Sequence, residues 1–201
     1  MQCSKRILIS MGIPSGFWIE AVDVNAREYD VVIVGAGFAG MYLLHRVRRL
    51  GMSVRVLEQG SDVGGTWYWN RYPGASCDIE SYVYLPLLEK TGFVPQQKYT
   101  NASETLNYCS IIADKYHLHE RSMLQTLVTS ADWDEELGRW VVSTDRQDRI
   151  KARYVVHSNG PLNRPKLPAI KGINEFAGHT LSLIHISEPT RPLYISYAVF
   201  C

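Results

Sequence analysis

A glycine-rich turn between an apolar strand and a helix constrains the fold of this chain more than any other feature of its sequence. Residues 29–34, YDVVIV, are apolar and β-branched, which is typical of a buried parallel strand. The glycine turn, residues 35–40 (GAGFAG), follows at once, and apolar side chains then recur at helical spacing over 41–50. A second strand over 53–57 ends at Glu58. This succession predicts a βαβ unit with two parallel strands.

Each part of this unit has a physical role in binding a dinucleotide. Gly35 permits the tight turn out of the strand, Gly37 lets the backbone approach a pyrophosphate at the helix N-terminus, and Gly40 lets the helix lie close to the strand. Glu58 lies 18 residues past Gly40 and can accept hydrogen bonds from a ribose diol. Because its charge would repel a 2′-phosphate, the site favours FAD or NAD over NADP. The sequence therefore predicts a Rossmann-type dinucleotide site.

An aromatic loop, residues 64–78 (GGTWYWNRYPGASCD), follows the second strand. Its glycines and proline suit neither helix nor strand, and its large flat side chains suit contact with a large flat ligand. The alternative is a surface loop whose tryptophans cover the core. The loop begins six residues after Glu58, on the ligand side of the predicted sheet, which favours the binding role. Gly64 and Gly65 can then bring further N–H groups to the ligand.

Helical signals are weaker in the middle of the chain. Residues 79–97 are interrupted by two prolines and predict short helical pieces and loop. An Asn-Ala-Ser-Glu sequence at 101–104 resembles a capping box and begins a helix that ends near Tyr116. His117 and His119 invite a metal-site hypothesis, but their spacing points them in different directions and no cysteine or acid completes a ligand set. We therefore expect no metal site.

The hydrophobic period changes to two from Met123 onward. This predicts a strand over 123–130, a hairpin over 131–144 with its turn at 135–138, and a return strand over 150–158. Two tryptophans on the hairpin arms are expected to pack on each other: Trp133 and Trp140. The predicted fold class is α/β, a Rossmann-type doubly wound parallel sheet with a small antiparallel β-meander insertion.

The aromatic loop also matches the fingerprint of a known family. That fingerprint is Gly-Gly-x-Trp, four residues, an aromatic-Pro-Gly triplet, three residues and Asp, and these positions match it in register: Gly64, Gly65, Trp67, Tyr72, Pro73, Gly74, Asp78. With the glycine turn, Glu58 and the SNGPLNRPKLP segment, residues 28–180 resemble the N-terminal part of a flavin-dependent (type I) Baeyer–Villiger monooxygenase of the cyclohexanone and phenylacetone monooxygenase kind. A second family motif begins at Phe176 and Gly178, but its own His is not reached before the sequence changes character after Thr180.

The resemblance implies an oxidoreductase that uses FAD and NADPH. In that family NADPH reduces FAD, O₂ reacts with the reduced flavin, and one oxygen atom is inserted next to a ketone carbonyl to give an ester or lactone. Asp78 would be the catalytic acid, holding an arginine that lies beyond Thr180. The implied cofactor-binding residues are Gly35, Gly37, Phe38, Ala39, Gly40, Glu58, Gln59, Gly65, Thr66, Trp67, Asp78, Tyr84 and Val128.

Two other functions stay open at this point. One is a flavin monooxygenase that oxidises nitrogen or sulfur, and the other is a non-catalytic FAD-binding module. The resemblance further implies an incomplete two-dinucleotide-domain flavoprotein, since the second GxGxxG for NADPH would lie beyond Thr180. We therefore expect the chain to be inactive alone.

Composition limits the partners and the compartment. The chain has 201 residues and a formal net charge of +1. A charge so close to zero gives no indication that it binds nucleic acid or an anionic membrane. Its four cysteines form no CxxC pair, which favours reduced thiols in the cytoplasm. The expected partners are a small-molecule ketone and O₂, and the sequence does not indicate an oligomeric state.

The two ends interrupt these patterns. Residues 1–27 are expected to be a flexible extension in which Met1 or Met11 is the start, 28–160 the FAD-binding domain, and 161–180 a connector toward an NADPH domain. Residues 181–201 resemble a translated sequencing adapter, because two of their segments can be encoded by adapter and primer sequences in the right order and frame. We excluded them from the prediction of fold.

Overall fold

The computed structural model describes residues 27–161 together with Lys171, Gly172, Glu175 and Ala177. The segments predicted as N-terminal extension, connector and adapter-like tail therefore lie outside the described residues, apart from Arg27, Pro161 and those four positions. Phe176 and Gly178, at which the second family motif begins, and the neighbouring His179 also lie outside the described residues.

The described residues form a single mixed sheet. Its strands are β1 (Glu28–Val34), β2 (Val54–Leu57), β3 (Ser122–Met123), β4 (Val128–Asp134), β5 (Arg139–Thr144) and β6 (Arg149–His157). Their order is β3-β2-β1-β6-β5-β4. β1 pairs in parallel with β2 and β6, and β2 with β3, whereas β4, β5 and β6 form an antiparallel meander. The predicted Rossmann-type sheet with an antiparallel insertion is confirmed.

Helices connect the parallel strands along the chain, one between β1 and β2 and four between β2 and β3. They are α1 (Phe38–Arg49), α2 (Thr66–Trp69), α3 (Ser81–Tyr84), α4 (Leu88–Thr91) and α5 (Ala102–Lys115), followed by a 3-10 turn at His119–Arg121. α1 begins inside the glycine turn rather than after it, because Gly37 serves as its N-cap. α3 and α4 are the short helical pieces predicted for 79–97. Within the described residues, no helix combines the length and apolarity needed to cross a membrane.

The start of α5 uses half of the predicted capping box. Asn101 Oδ1 accepts a hydrogen bond from the Glu104 backbone N–H at 2.8 Å. Glu104 does not return to the Asn101 N–H; its Oε1 instead accepts from Gln96 N at 2.8 Å. The second half of the box is thus used to tie the loop before α5 to the helix.

The prediction of one strand over 123–130 is wrong. β3 ends at Met123 and β4 begins at Val128, and these two strands lie at opposite edges of the sheet. Gln125 between them has a φ of 51°, a left-handed conformation that interrupts an extended chain. Gln125 N donates to Gly60 O and Thr126 N to Glu58 O, so the segment crosses the end of β2. The alternating pattern cannot show this change of edge.

Both faces of β1 are buried because its residues alternate between two hydrophobic clusters. Val31 and Ile33 pack with α1 and α5, in the cluster that also holds Met41, Leu44, Tyr108 and Ile112. Val32 packs on the opposite face with residues of β5 and β6: Val142, Ile150, Ala152. On the hairpin, Trp133 and Trp140 are paired across the strands with ring centroids 5.7 Å apart, as predicted. β1 is therefore the central strand around which the site is built.

Replacing Asn101 by alanine should destabilise the chain by about 1 kcal/mol, since the N-cap of α5 loses its side-chain acceptor. Chemical denaturation of the two proteins measures the difference. Asn107→Ala is the matched control, because Asn107 is exposed within the same helix and alanine is the better helix former there. Equal losses for both variants would contradict the capping role.

Candidate functional site

A cleft of about 530 Å³ opens where β1, β2 and β6 end. The last residue of each strand lines it: Val34, Leu57 and His157. β2 lies next to β1 on one side and β6 lies next to it on the other, so the strand order reverses at β1. Ligands of open α/β sheets bind at such a reversal, beyond the carboxyl ends of the strands.

The glycine turn brings backbone against backbone at the floor of the cleft. A Cβ at Gly40 would lie 2.0 Å from the Gly35 carbonyl oxygen, so α1 can approach the turn only through a glycine. A Cβ at Gly35 would lie 2.7 Å from Ser158 O, and Gly35 also has a φ of 103°. The turn therefore fixes the positions of α1 and of the end of β6.

The aromatic loop meets the N-terminus of α1 at two glycines. Gly37, the N-cap, offers no side chain to the first turn of the helix. A Cβ at Gly65 would lie 2.8 Å from Gly37 Cα, and Gly64 N donates to Ala36 O at 2.9 Å. The first helical N–H groups have no intrahelical acceptor and face a wall without side chains, which suits an anionic group such as a phosphate.

Glu58 is buried at the edge of the cleft, with 5% of its surface exposed. Its Oε2 accepts a hydrogen bond from Ala36 N at 2.6 Å, and its Oε1 accepts from Gly60 N at 2.7 Å. The acid predicted to meet a ribose diol thus lies in the cleft and already accepts from two backbone N–H groups.

Comparison with known proteins agrees with the Rossmann-type fold. Residues 33–92 match the family model of an NAD(P)-binding Rossmann-like domain. The chain is 49% identical over 155 residues to pentalenolactone D synthase of Streptomyces exfoliatus, covering 76% of this chain and 26% of that protein. It is also 49% identical over 152 residues to a Baeyer–Villiger monooxygenase of Streptomyces coelicolor, covering 75% of this chain and 25% of that protein.

A solved structure agrees with the sequence relatives. OTEMO in complex with FAD and NADP superposes with a TM-score of 0.68 at 35% identity, covering 74% of this chain and 29% of that one. The chain is homologous to the Baeyer–Villiger monooxygenases. The resemblance found in residues 28–180 is thereby confirmed, and the chain spans about a quarter of the length of the curated relatives it matches.

Seven residues predicted from the Baeyer–Villiger monooxygenase resemblance line the cleft: Gly35, Gly37, Glu58, Gln59, Gly65, Thr66, Val128. They come from the ends of β1 and β2, the aromatic loop and the start of β4. Residues more than 90 positions apart thus meet around one cavity, and their contacts with a cofactor stay a prediction.

Three aromatic residues of the predicted set lie beside the cleft but not in its lining. Trp67 is 6% exposed and donates its Nε1–H to Tyr84 OH at 2.9 Å. The Tyr84 ring also meets Phe38 edge-on at a centroid distance of 5.5 Å, and burial raises the pKa of its phenol. The Tyr84 ring thus contacts both Phe38 of α1 and Trp67 of the aromatic loop. Ala39 and Gly40 belong to α1 and likewise lie outside the lining.

Asp78, the predicted catalytic acid, is exposed at the end of the aromatic loop and outside the cleft. The backbone around it is anchored, since Cys77 N donates to Thr100 O at 2.9 Å and Ser81 N to Lys98 O at 2.8 Å. Burial raises the pKa of the Cys77 thiol and brings that of Cys109 to about 12, so neither is a ready nucleophile.

The sequence prediction missed several lining residues. Trp69, Thr126, Leu127, His157, Ser158 and Asn159 also face the cleft. The last three could have been found, because a return strand parallel to β1 must end beside its turn. Thr126 and Leu127 could not, since the pattern placed them inside a strand that the structure divides.

A second concavity, of about 640 Å³, lies between residues 71–76 and the first half of α5. It shares no lining residue with the cleft. Two backbone N–H groups of the first turn of α5 are already bonded there, Ala102 N to Ala75 O and Glu104 N to Asn101 Oδ1. It is therefore the weaker candidate for an anionic ligand.

The two histidines considered for a metal have other contacts. His119 Nε2 lies 2.8 Å from Asp62 Oδ1, and His117 Nδ1 lies 3.8 Å from Glu120 Oε1. In the part of the chain that the structure describes, no group of three or more His, Cys, Asp or Glu side chains could hold a metal ion.

Gly40→Ala should destabilise the chain by roughly 3 kcal/mol or more, because the added methyl group would collide with backbone that cannot move without shifting α1. Gly37→Ala should cost less than about 1 kcal/mol, since a Cβ there meets only Gly65 Cα at 3.5 Å. Denaturant titration of both variants measures the difference. A Gly40→Ala variant as stable as Gly37→Ala would contradict the close packing of the turn.

Proposed function

We propose that this chain forms the FAD-binding part of an FAD- and NADPH-dependent Baeyer–Villiger monooxygenase. Such an enzyme inserts one oxygen atom of O₂ next to a ketone carbonyl to give an ester or lactone. The observation that carries the proposal is the cradle in which Gly37 and Gly65 meet backbone to backbone beside the buried Glu58. This arrangement accompanies 49% identity to a Baeyer–Villiger monooxygenase.

The residues of the cleft fit FAD. The helix N-terminus at Gly37 suits the pyrophosphate because no side chain there stands between the ligand and the free N–H groups. Gly65 has room only for backbone, since a side chain at this position would collide with the glycine turn. Glu58 suits the ribose diol, and Val128 suits the adenine through its backbone. Thr66 and Trp69 border the same space from the aromatic loop. Reduced by NADPH, bound FAD would supply the oxygen-transferring chemistry.

The protein residues would orient the cofactor and hold charge near it. Asp78 is exposed on a loop whose backbone is fixed on both sides, which suits an acid that pairs with an arginine from another part of the protein. Phe38, Trp67 and Tyr84 would keep the aromatic loop against α1. A small-molecule ketone and O₂ are the proposed substrates, and the free thiols of Cys77 and Cys109 favour a cytoplasmic location.

The cradle hypothesis predicts that the chain binds FAD and that Gly37→Ala weakens this binding at least roughly tenfold, because the methyl group blocks approach to the helix N-terminus. Quenching of FAD fluorescence on titration measures the affinity. Asn107→Ala, on the exposed face of α5, should bind as wild type does. An unchanged affinity for FAD in Gly37→Ala would contradict the placement of FAD at the N-terminus of α1.

The monooxygenase hypothesis predicts ketone-dependent NADPH oxidation and an ester or lactone product from the full-length gene product. Asp78→Asn should lower the rate of product formation by roughly a hundredfold, since an arginine near the flavin would lose its charged partner. Flavin content, read from absorbance, should stay close to one per chain.

Glu80→Gln is the control for this variant. Glu80 is an acid two positions along the chain and forms an exposed ion pair with Lys98 at 2.8 Å, so its loss should change turnover little. Sulfide oxidation without any ester would favour the nitrogen- or sulfur-oxidising class instead. Stoichiometric FAD without NADPH oxidation would favour a non-catalytic binding module.

A further inference from the structure

We propose that Glu58 is a positioning residue that holds the glycine turn in its binding conformation, in addition to any contact with a ribose. The inference rests on the proposed dinucleotide site and concerns what its acid does before a ligand arrives. Its basis is that each carboxylate oxygen of Glu58 accepts one backbone N–H, from Ala36 at 2.6 Å and from Gly60 at 2.7 Å.

The two N–H donors belong to separate segments of the chain. Ala36 is in the glycine turn that follows β1, and Gly60 is in the loop that follows β2. Ala36 is 1% exposed and Glu58 5%, so water cannot replace the carboxylate as an acceptor without a rearrangement. One buried side chain therefore joins the turn to the neighbouring loop at the wall of the cleft.

The surroundings of Gly60 leave room for this carboxylate and little else. A Cβ at Gly60 would lie 3.1 Å from Glu58 Oε1 and 2.8 Å from Tyr68 Cε1. Tyr68 OH in turn lies 3.1 Å from Ser61 N and 2.7 Å from Ser61 Oγ. The aromatic loop is thus hydrogen-bonded to the segment whose Gly60 N–H donates to Glu58, so Glu58 lies between the glycine turn and a segment that also contacts the aromatic loop.

Glu58 can serve both roles at once. A carboxylate has about four lone-pair positions, and the two backbone bonds use two of them. The remaining positions can accept from a diol, so binding of the ribose does not require the turn to be released. The two roles are separable because one of them operates in the absence of any ribose hydroxyl.

Glu58→Gln tests the positioning role with a ligand that has no diol. The amide places an NH₂ group against a backbone N–H donor, so one of the two bonds is lost. The probes are ADP and 2′,3′-dideoxy-ADP, which carries the pyrophosphate without the ribose hydroxyls. We expect the variant to bind dideoxy-ADP roughly tenfold more weakly than wild type, since charge-assisted bonds to the turn are lost. Weakened binding of ADP with unchanged binding of dideoxy-ADP would overturn the proposal.

Two further variants make the comparison specific. Glu28→Gln is the matched control, because Glu28 is an exposed acid on β1 whose Oε1 bonds to Arg139 at 2.9 Å. It should bind both probes as wild type does. Gly60→Ala keeps the carboxylate but crowds it, and it should weaken the binding of dideoxy-ADP in the same direction as Glu58→Gln.

Amide hydrogen exchange on the ligand-free chain gives an independent readout. In Glu58→Gln the amides of Ala36 and Gly60 should exchange at least roughly tenfold faster, while that of Val32 in the core of β1 stays unchanged. Loss of folding in Glu58→Gln but not in Glu28→Gln would also support the role, because a ribose contact has no effect without ribose. Unchanged exchange at both amides would overturn it. If wild type binds neither probe, the proposed function fails, and the exchange data still decide the role of Glu58.

Discussion

The structure depends on the close approach of backbone to backbone at the glycine turn. A side chain at Gly40 would lie 2.0 Å from the carbonyl oxygen of Gly35, and one at Gly65 would lie 2.8 Å from Gly37. Because glycine stands at these positions, α1 rests against the turn, and the aromatic loop closes on the helix N-terminus. The same lack of side chains leaves the first N–H groups of α1 open to the cleft. Fold and candidate site therefore share one steric requirement.

Glu58 adds a charged side chain to the backbone contacts at the glycine turn. Its carboxylate accepts from Ala36 and Gly60 while it lines the cleft, so the acid that suits a ribose is also part of the framework around the turn. The chain is similar to Baeyer–Villiger monooxygenases, and Asp78 lies on an anchored loop outside the lining of the cleft. The described residues would supply orientation and electrostatics, and the cofactor the oxygen transfer.

Local signals in the sequence predicted much of this. The glycine turn with its strand and helix, and the Asn101 cap of α5, depend on residues close in sequence. The prediction failed where a local pattern continued across a change of sheet edge, over residues 123–130. The resemblance named Trp67 and Tyr84 as cofactor-binding residues, and that role stays a prediction. Only the packing shows that the Trp67 Nε1–H donates to the Tyr84 hydroxyl.

The sequence by itself determined the glycine turn, the class of fold and the resemblance to Baeyer–Villiger monooxygenases. These follow from backbone conformations that favour glycine and from motif spacings that can be read without coordinates. Tertiary structure alone decided which residues surround the cleft. Leu57 and His157 reach it from the strands on opposite sides of β1, and Glu58 meets Ala36 across 22 positions of sequence. Such contacts depend on the order of strands in the sheet, and no pattern within one segment records that order.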